Sequence, residues 1–168
     1  MDSAADTAHR IWLTVLAQFS DLGDTEDATL VITRLMLAAL LGGVMGWERE
    51  HKGKSAGLRT HILVSLGSAM LVLVPLQAGM ESADLSRVLQ GIVTGIGFIG
   101  TGSIFLRGPE SRPHGLTTAA GMWLTAAIGV TAGMGQGTTA ALVTLLALCV
   151  LALLPKVMHP PGAPDGDQ

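Results

Sequence analysis

Apolar residues fall into five long blocks, at positions 28–46, 58–76, 88–106, 116–134 and 138–154, separated by short polar or charged stretches. Most approach the roughly 20 residues that an α-helix needs to cross about 30 Å of hydrocarbon, and the last is barely long enough. Residues 1–27 are polar and acidic except for RIWLTVLAQF, where Trp12, Val15, Leu16 and Phe19 share one helical face. That spacing predicts a short amphipathic helix lying on a membrane surface. The predicted architecture is all-α: a polytopic membrane bundle of five transmembrane helices over residues 28–155, preceded by the amphipathic helix. Residues 156–168, ending in HPPGAPDGDQ, read as a disordered tail.

The middle block is the most unusual. GIVTGIGFIGTGSIFL carries Gly91, Gly95, Gly97, Gly100 and Gly102 and no charge, between Arg87 and Arg107. Glycine weakens a soluble helix, but in a membrane it lets backbones approach closely, and Gly91 with Gly95 forms a GxxxG pair. The block therefore predicts a buried, central helix whose packing residues are Gly91, Gly95, Gly97, Phe98, Gly100 and Gly102. Gly95, Gly97 and Gly100 also match GxGxxG, but a dinucleotide site requires a strand, a helix and a downstream acid in a βαβ unit, and that context is missing. Gly53, Lys54 and Ser55 resemble the end of a phosphate-binding loop, yet Glu48 stands where its first glycine belongs. After this block, Pro109 and Pro113 mark a loop that no helix would cross.

Composition strengthens the membrane reading: of 168 residues 49% are hydrophobic and 14% charged, and mean hydropathy is positive. The distribution of basic residues then sets orientation. With the N-terminus outside, Arg49, Lys52, Lys54, Arg59, Arg107, Arg112 and Lys156 fall on the inner side, and only Arg10 and Arg87 on the outer. The expectation is N-terminus out and C-terminus cytoplasmic. A cleaved leader is not expected, because Asp2 and Asp6 replace a basic start and no small-residue cleavage site follows. The lone Cys149 excludes an intrachain disulfide, and no Cys/His spacing suggests zinc.

The charged residues supply the candidate chemistry. Arg34 lies one or two turns into the first block, and either faces the bundle or snorkels to the interface. Glu48, Arg49 and Glu50 end that block, and Arg59, Thr60 and His61 open the next. They form either an interfacial ion-pair cluster that fixes a hairpin or a polar site folded into the bundle and open to the cytoplasm. Mg²⁺ takes oxygen ligands and keeps several waters, so Glu48 and Glu50 on one side, or Glu81 and Asp84 on the other, are the candidate carboxylates, with Arg87 beside the latter. No acid lies within a predicted span, which argues against a channel lined by a carboxylate ring. His61 either titrates near physiological pH or bonds a helix start. Thr117 and Thr118 are expected to cap the fourth span or bond across to the third, and Trp123 to pack. Neither HExxH nor paired intramembrane aspartates occur, so no enzymatic activity is expected. No cofactor or nucleic-acid partner is expected either.

Taken together, GWEREHKGKSAGLRTH, DLSRVLQGIVTGIGFIGTGSI and HGLTTAAGMWLTAAIGVTAGMG resemble the three signature blocks of the MgtC/SapB family of bacterial inner-membrane proteins, over roughly residues 30–150. The resemblance implies a small multi-pass protein linked to magnesium homeostasis, low-magnesium growth or acid stress. Some relatives are thought to modulate other membrane proteins rather than carry an ion. The motif residues map onto Arg34, Glu48–Glu50, Gly57–His61, Asp84, Arg87, Gly95, Gly97, Phe98, Gly100, Gly102, Gly115–Ala120 and Trp123. The family's GIGFLGAG reads GIGFIGTG here, with Ile99 and Thr101, and the Thr101 hydroxyl is expected to bond within its own helix. The soluble ACT-like domain of many relatives is not expected, which points to the short SapB-like branch. The expected function is a non-enzymatic modulator acting through helix contacts with a second copy, as a dimer or larger homo-oligomer, or with other membrane proteins. The alternative is an ion transporter, for Mg²⁺ above all.

Overall fold

The computed structural model describes residues 2–20, 22–104 and 114–158. They form α1 (Asp2–Ala17), α2 (Thr25–His51), α3 (Leu58–Gln77), α4 (Ser82–Gly102), α5 (Leu116–Gly133) and α6 (Gly137–Met158). Arg107, Arg112, Pro109 and Pro113 of the predicted loop, and the tail from residue 159, lie outside the described residues. The helix α6 continues through Pro155 to Met158.

The chain divides into two compact units, residues 1–33 and 34–168. In the first, α1 is longer than its apolar stripe requires, and Trp12, Val15 and Leu16 on that stripe are exposed. Asp24 caps α2: its Oδ1 accepts the Asp27 N–H at 2.8 Å. Glu26 and Asp27 in the first turn favour the positive end of the helix dipole.

Among the described residues, four helices are long and apolar enough to cross a membrane, namely α2, α3, α5 and α6. The prediction of five is corrected at α4, the block read as central. Its helix starts at Ser82, taking in Asp84 and Arg87, and ends at Gly102, before the apolar residues 103–106. Its uncharged part, Val88–Gly102, extends only about 22 Å at 1.5 Å per residue. Nor is it the buried helix: Leu85, Ile96 and Gly100 are buried, while Phe98 is 83% exposed.

The centre of the second unit is the α3–α5 contact, the most extensive among α3, α4, α5 and α6. These two run parallel, with His61 beside Gly121, Ser65 against Gly129 and Ala69 against Gly133. The path between them must therefore return, and α4 makes that return, ending where Gly100 meets Ala119. On the other side α2 lies antiparallel to α3. A Cβ at Gly42 would stand 2.7 Å from the Ser65 Cβ, and one at Gly46 2.7 Å from the Leu58 Cα. Two GxxxG pairs, Gly42/Gly46 and Gly129/Gly133, thus clamp α3 from both sides. The Ser65 hydroxyl donates to the Ala38 carbonyl of α2 at 2.7 Å.

The same geometry corrects the predicted glycine face. Among the described residues, Gly91, Gly95, Gly97 and Gly102 have no atom beyond their own helix backbone within 4 Å of a Cβ position, and of the α4 glycines only Gly100 meets a neighbour. Within the chain the seam is built by the glycines of α2 and α5, because those helices bear on a backbone while α4 presents its glycines outward. An added methyl should therefore act oppositely at the two places. Gly129→Ala forces the Ser65 backbone aside and should lower stability in detergent by about 1–3 kcal/mol, whereas Gly95→Ala should be neutral or stabilising by up to about 1 kcal/mol from helix propensity. Thermal unfolding of the two purified variants decides it; equal effects would contradict the seam.

Candidate functional site at the basic end of the bundle

The end of α2 and the start of α3 bring together the polar groups that the sequence places in two adjacent motifs. Arg49 lies on the helical face of Gly42, Met45 and Gly46, so it turns inward and is only 2% exposed. Its Nε donates to the Glu48 carboxylate. The Lys52 Nζ pairs with Glu48 Oε1 at 2.7 Å, one turn on. Glu48 therefore holds two cations, and the trio carries a net single positive charge.

Glu50 does different work. Its carboxylate accepts the Leu58 N–H at 2.7 Å, satisfying one of the free donors at the start of α3. His61 is fully buried, and its Nδ1 lies 3.0 Å from the Gly57 carbonyl. Facing an oxygen that can only accept, Nδ1 must carry the proton. Nε2 is buried with no hydrogen-bond partner among the described residues, on the side of α5 where Gly121 leaves room.

Other predicted members are dispersed. Arg59 is exposed and Thr60 half-buried; the inward arginine is Arg49, because Arg59 sits two residues, about 200° of helix, from His61. Asp84 and Arg87 form an exposed pair at 3.9 Å at the start of α4, the opposite end of the bundle. Arg34 also lies at that end and faces the bundle: its Nη1 donates to the Gly133 carbonyl at 3.1 Å, one of the last four carbonyls of α5 that lack an internal partner. Beneath it Gly135 has φ +82°, and a Cβ there would meet the guanidinium at 2.6 Å. Thr117 and Thr118 cap nothing, since Gly115 opens α5 in a left-handed conformation, φ +87°, with no side-chain cap. Thr117 is exposed, Thr118 buried, and Trp123 47% exposed on the outer surface rather than in the core. The Thr101 hydroxyl bonds back to the Gly97 carbonyl at 2.9 Å.

One interaction escaped sequence reasoning although its signal was present. Lys52 Nζ also donates to the Leu151 carbonyl of α6 at 2.7 Å. In an α-helix that carbonyl would accept from residue 155, but Pro155 has no N–H to give. The proline opens an acceptor and the lysine closes it, tying α6 to α2. Ser65 and the Gly42/Gly46 pair were likewise missed, though Gly42/Gly46 repeats the spacing seen at Gly91/Gly95.

Residues 35–159 match the MgtC family. The chain belongs to that family. The matched stretch holds every helix of the bundle core together with the Glu48–Arg49–Lys52 trio and His61. Among relatives, SrpB of Synechococcus elongatus is 46% identical over 113 residues, 61% of this chain and 62% of SrpB. The Escherichia coli K12 protein named "Putative magnesium transporter YhiD" is 44% identical over 127 residues, 70% of this chain and 58% of its own. MgtC of Salmonella typhimurium is 42% identical over 123 residues, 73% of this chain and 52% of MgtC. The chain thus matches between about half and three fifths of the length of these relatives. No solved structure matches it.

Two measurements test this account of an MgtC-family basic end. Glu48→Gln strands Arg49 as a buried charge and should cost about 3–5 kcal/mol, whereas Arg49→Leu leaves Glu48 held by Lys52 and should cost clearly less; unfolding in detergent ranks them. A double-mutant cycle of Lys52→Ala and Pro155→Ala should give a coupling of about 1 kcal/mol, because alanine at 155 restores the helical donor that Lys52 replaces. Additive effects would dissociate the lysine from the proline.

Proposed function

We infer that this membrane protein serves magnesium homeostasis or adaptation to low magnesium and acid as a non-enzymatic modulator, working through helix contacts in the bacterial inner membrane. The observation that carries the reading is the outward face of α4, where Gly91, Gly95, Gly97 and Gly102 meet nothing among the described residues and Phe98 is 83% exposed. Small residues around an exposed aromatic suit close docking of another membrane helix. That helix belongs to a second copy, giving a homo-oligomer, or to another membrane protein. The two carboxylates nearest the buried charges support the same reading. Glu48 is neutralised by Arg49 and Lys52, and Glu50 caps α3, so a Mg²⁺ ion there would have to displace both arrangements. Arg49, Lys52, Lys54 and Arg59 cluster at one end, which by the positive-inside rule is cytoplasmic. Because α4 carries the chain back between the parallel α3 and α5, although it is shorter in apolar length than the other four, the chain passes five times and the N-terminus is outside and the C-terminus inside.

Transport of Mg²⁺ is the second reading, favoured by the name of the Escherichia coli relative. A paired experiment separates them. Protein cross-linked in native membranes should be captured with itself or with an integral-membrane partner, and Gly95→Leu should abolish capture while the monomer melts as wild type does. In proteoliposomes the modulator should pass no more Mg²⁺ than empty liposomes do. Flux above that level, lost in Glu48→Ala, would establish the transporter instead.

A further inference from the structure

Beside the Lys52 tie, α5 and α6 leave a groove that no part of the described chain fills. Its volume is about 590 Å³, within the roughly 300–1,000 Å³ of small-molecule sites. Ala120 and Leu124 of α5 form one wall, Leu146 and Val150 of α6 the other, and Met45 of α2 the floor. Among the described residues, no ionisable side chain lines it. Along α6 the lining runs from Val143 to Leu151, about 12 Å of helix.

The mouth differs from the walls. Leu151 lines the groove, and its carbonyl binds Lys52 Nζ at 2.7 Å. An ammonium has three N–H donors. Leu151 takes one, the ion pair with Glu48 Oε1 lies beside it at 2.7 Å, and at least one donor is left for solvent, in keeping with a side chain 39% exposed. Because Arg49 also neutralises Glu48, the positive charge at this mouth is not cancelled. The Thr117 hydroxyl, on an exposed residue of the lining, adds a polar group at the same end.

An apolar slot in a membrane-spanning surface, closed at the basic end by an uncompensated ammonium, has the chemistry of an amphiphile with an anionic head. We propose that the α5–α6 groove holds one acyl chain of an anionic phospholipid whose phosphate is bound by Lys52. The chain replaces water or loose lipid against Leu124, Leu146 and Val150. The phosphate takes a solvent-facing N–H of Lys52 and sits at headgroup level, where basic side chains attract anionic lipid. The site depends on the helices spanning a bilayer, not on whether the protein modulates a partner or carries an ion.

Native mass spectrometry of the purified full chain, exchanged into detergent containing equal phosphatidylglycerol and phosphatidylcholine, tests the proposal. The wild type should retain one phosphatidylglycerol at least tenfold over phosphatidylcholine. Ala120→Trp, which fills the groove from its wall, should abolish retention, while Leu63→Trp on the exposed face of α3 should leave it intact. Lys52→Gln should remove the preference for the anionic lipid and Lys52→Arg should keep it. Circular dichroism and thermal unfolding confirm that each variant remains folded, and Leu146→Trp replaces Ala120→Trp should that one unfold. Equal retention of the two lipids by the wild type, retention undiminished in a folded groove-filling variant, or loss of a dimer rather than of a lipid on filling the groove would overturn it.

Discussion

Three helix backbones cross at Ser65, and the rest of the bundle is arranged around the closeness of that crossing. Its Cβ lies where a side chain at Gly42 would begin, and its carbonyl lies where one at Gly129 would begin. Lipid tails are as apolar as leucine, so burying hydrophobic surface gives little reason for helices to associate within a bilayer, and contact distance has to supply it. With glycine on both flanks, α3 sits at van der Waals distance from two neighbours along several turns. The glycine hydrogens that replace Cβ at Gly129 and Gly133 point at the carbonyls of Ser65 and Ala69, a geometry suited to weak Cα–H···O bonds. The core around this seam is correspondingly small in side-chain size: Ala38, Ala69, Ala132, Ala140 and Ala147 dominate it.

Electrostatics completes what packing begins. Two cations of α2 serve carbonyls that helical geometry leaves without donors. Arg34 covers the end of α5 near one end of the bundle, and Lys52 covers the acceptor released by Pro155 near the other. The helix α2 is thereby fixed at two levels to two different neighbours, which sets its height as well as its proximity. Glu48 keeps the buried guanidinium of Arg49 tolerable, and Glu50 orders the turn into α3. The motif between residues 47 and 61 is thus mostly structural in its acids and leaves spare capacity in its cations.

Much of this was legible in the sequence. The membrane class, the helical architecture and the family all follow from block length and from the three motifs, and residues 35–159 bear out the resemblance. What failed was the ranking of like signals. GxxxG occurs in α2, α4 and α5, and spacing alone does not tell which pair faces a neighbour of the same chain. The richest glycine run was given the centre, although the flanking Asp84 and Arg87 already cost its helix apolar length. At the candidate site, Glu48, Arg49 and His61, grouped in the sequence by adjacent motifs, lie at the same end of the bundle. The inward role of Arg49 over Arg59 depends on helix phase relative to Gly42, which could have been counted. The Lys52–Leu151 bond pairs residues 99 apart in sequence, and only tertiary structure brings them together, even though Pro155 announces a free acceptor.

The parallel course of α3 and α5 carries a consequence for biogenesis. As the chain emerges, α2 enters the membrane first and offers the Ala38 carbonyl to which the Ser65 hydroxyl bonds, so the α2–α3 hairpin forms with its buried polar groups already matched. The second flank of α3 stays bare until α4 has carried the chain back and α5 has been made. During that interval the Ser65 backbone is open to any small-faced helix in the vicinity. The sequence of synthesis therefore creates a transient competitor for the place of α5, and the tight Gly129/Gly133 fit is what makes the protein's own helix prevail.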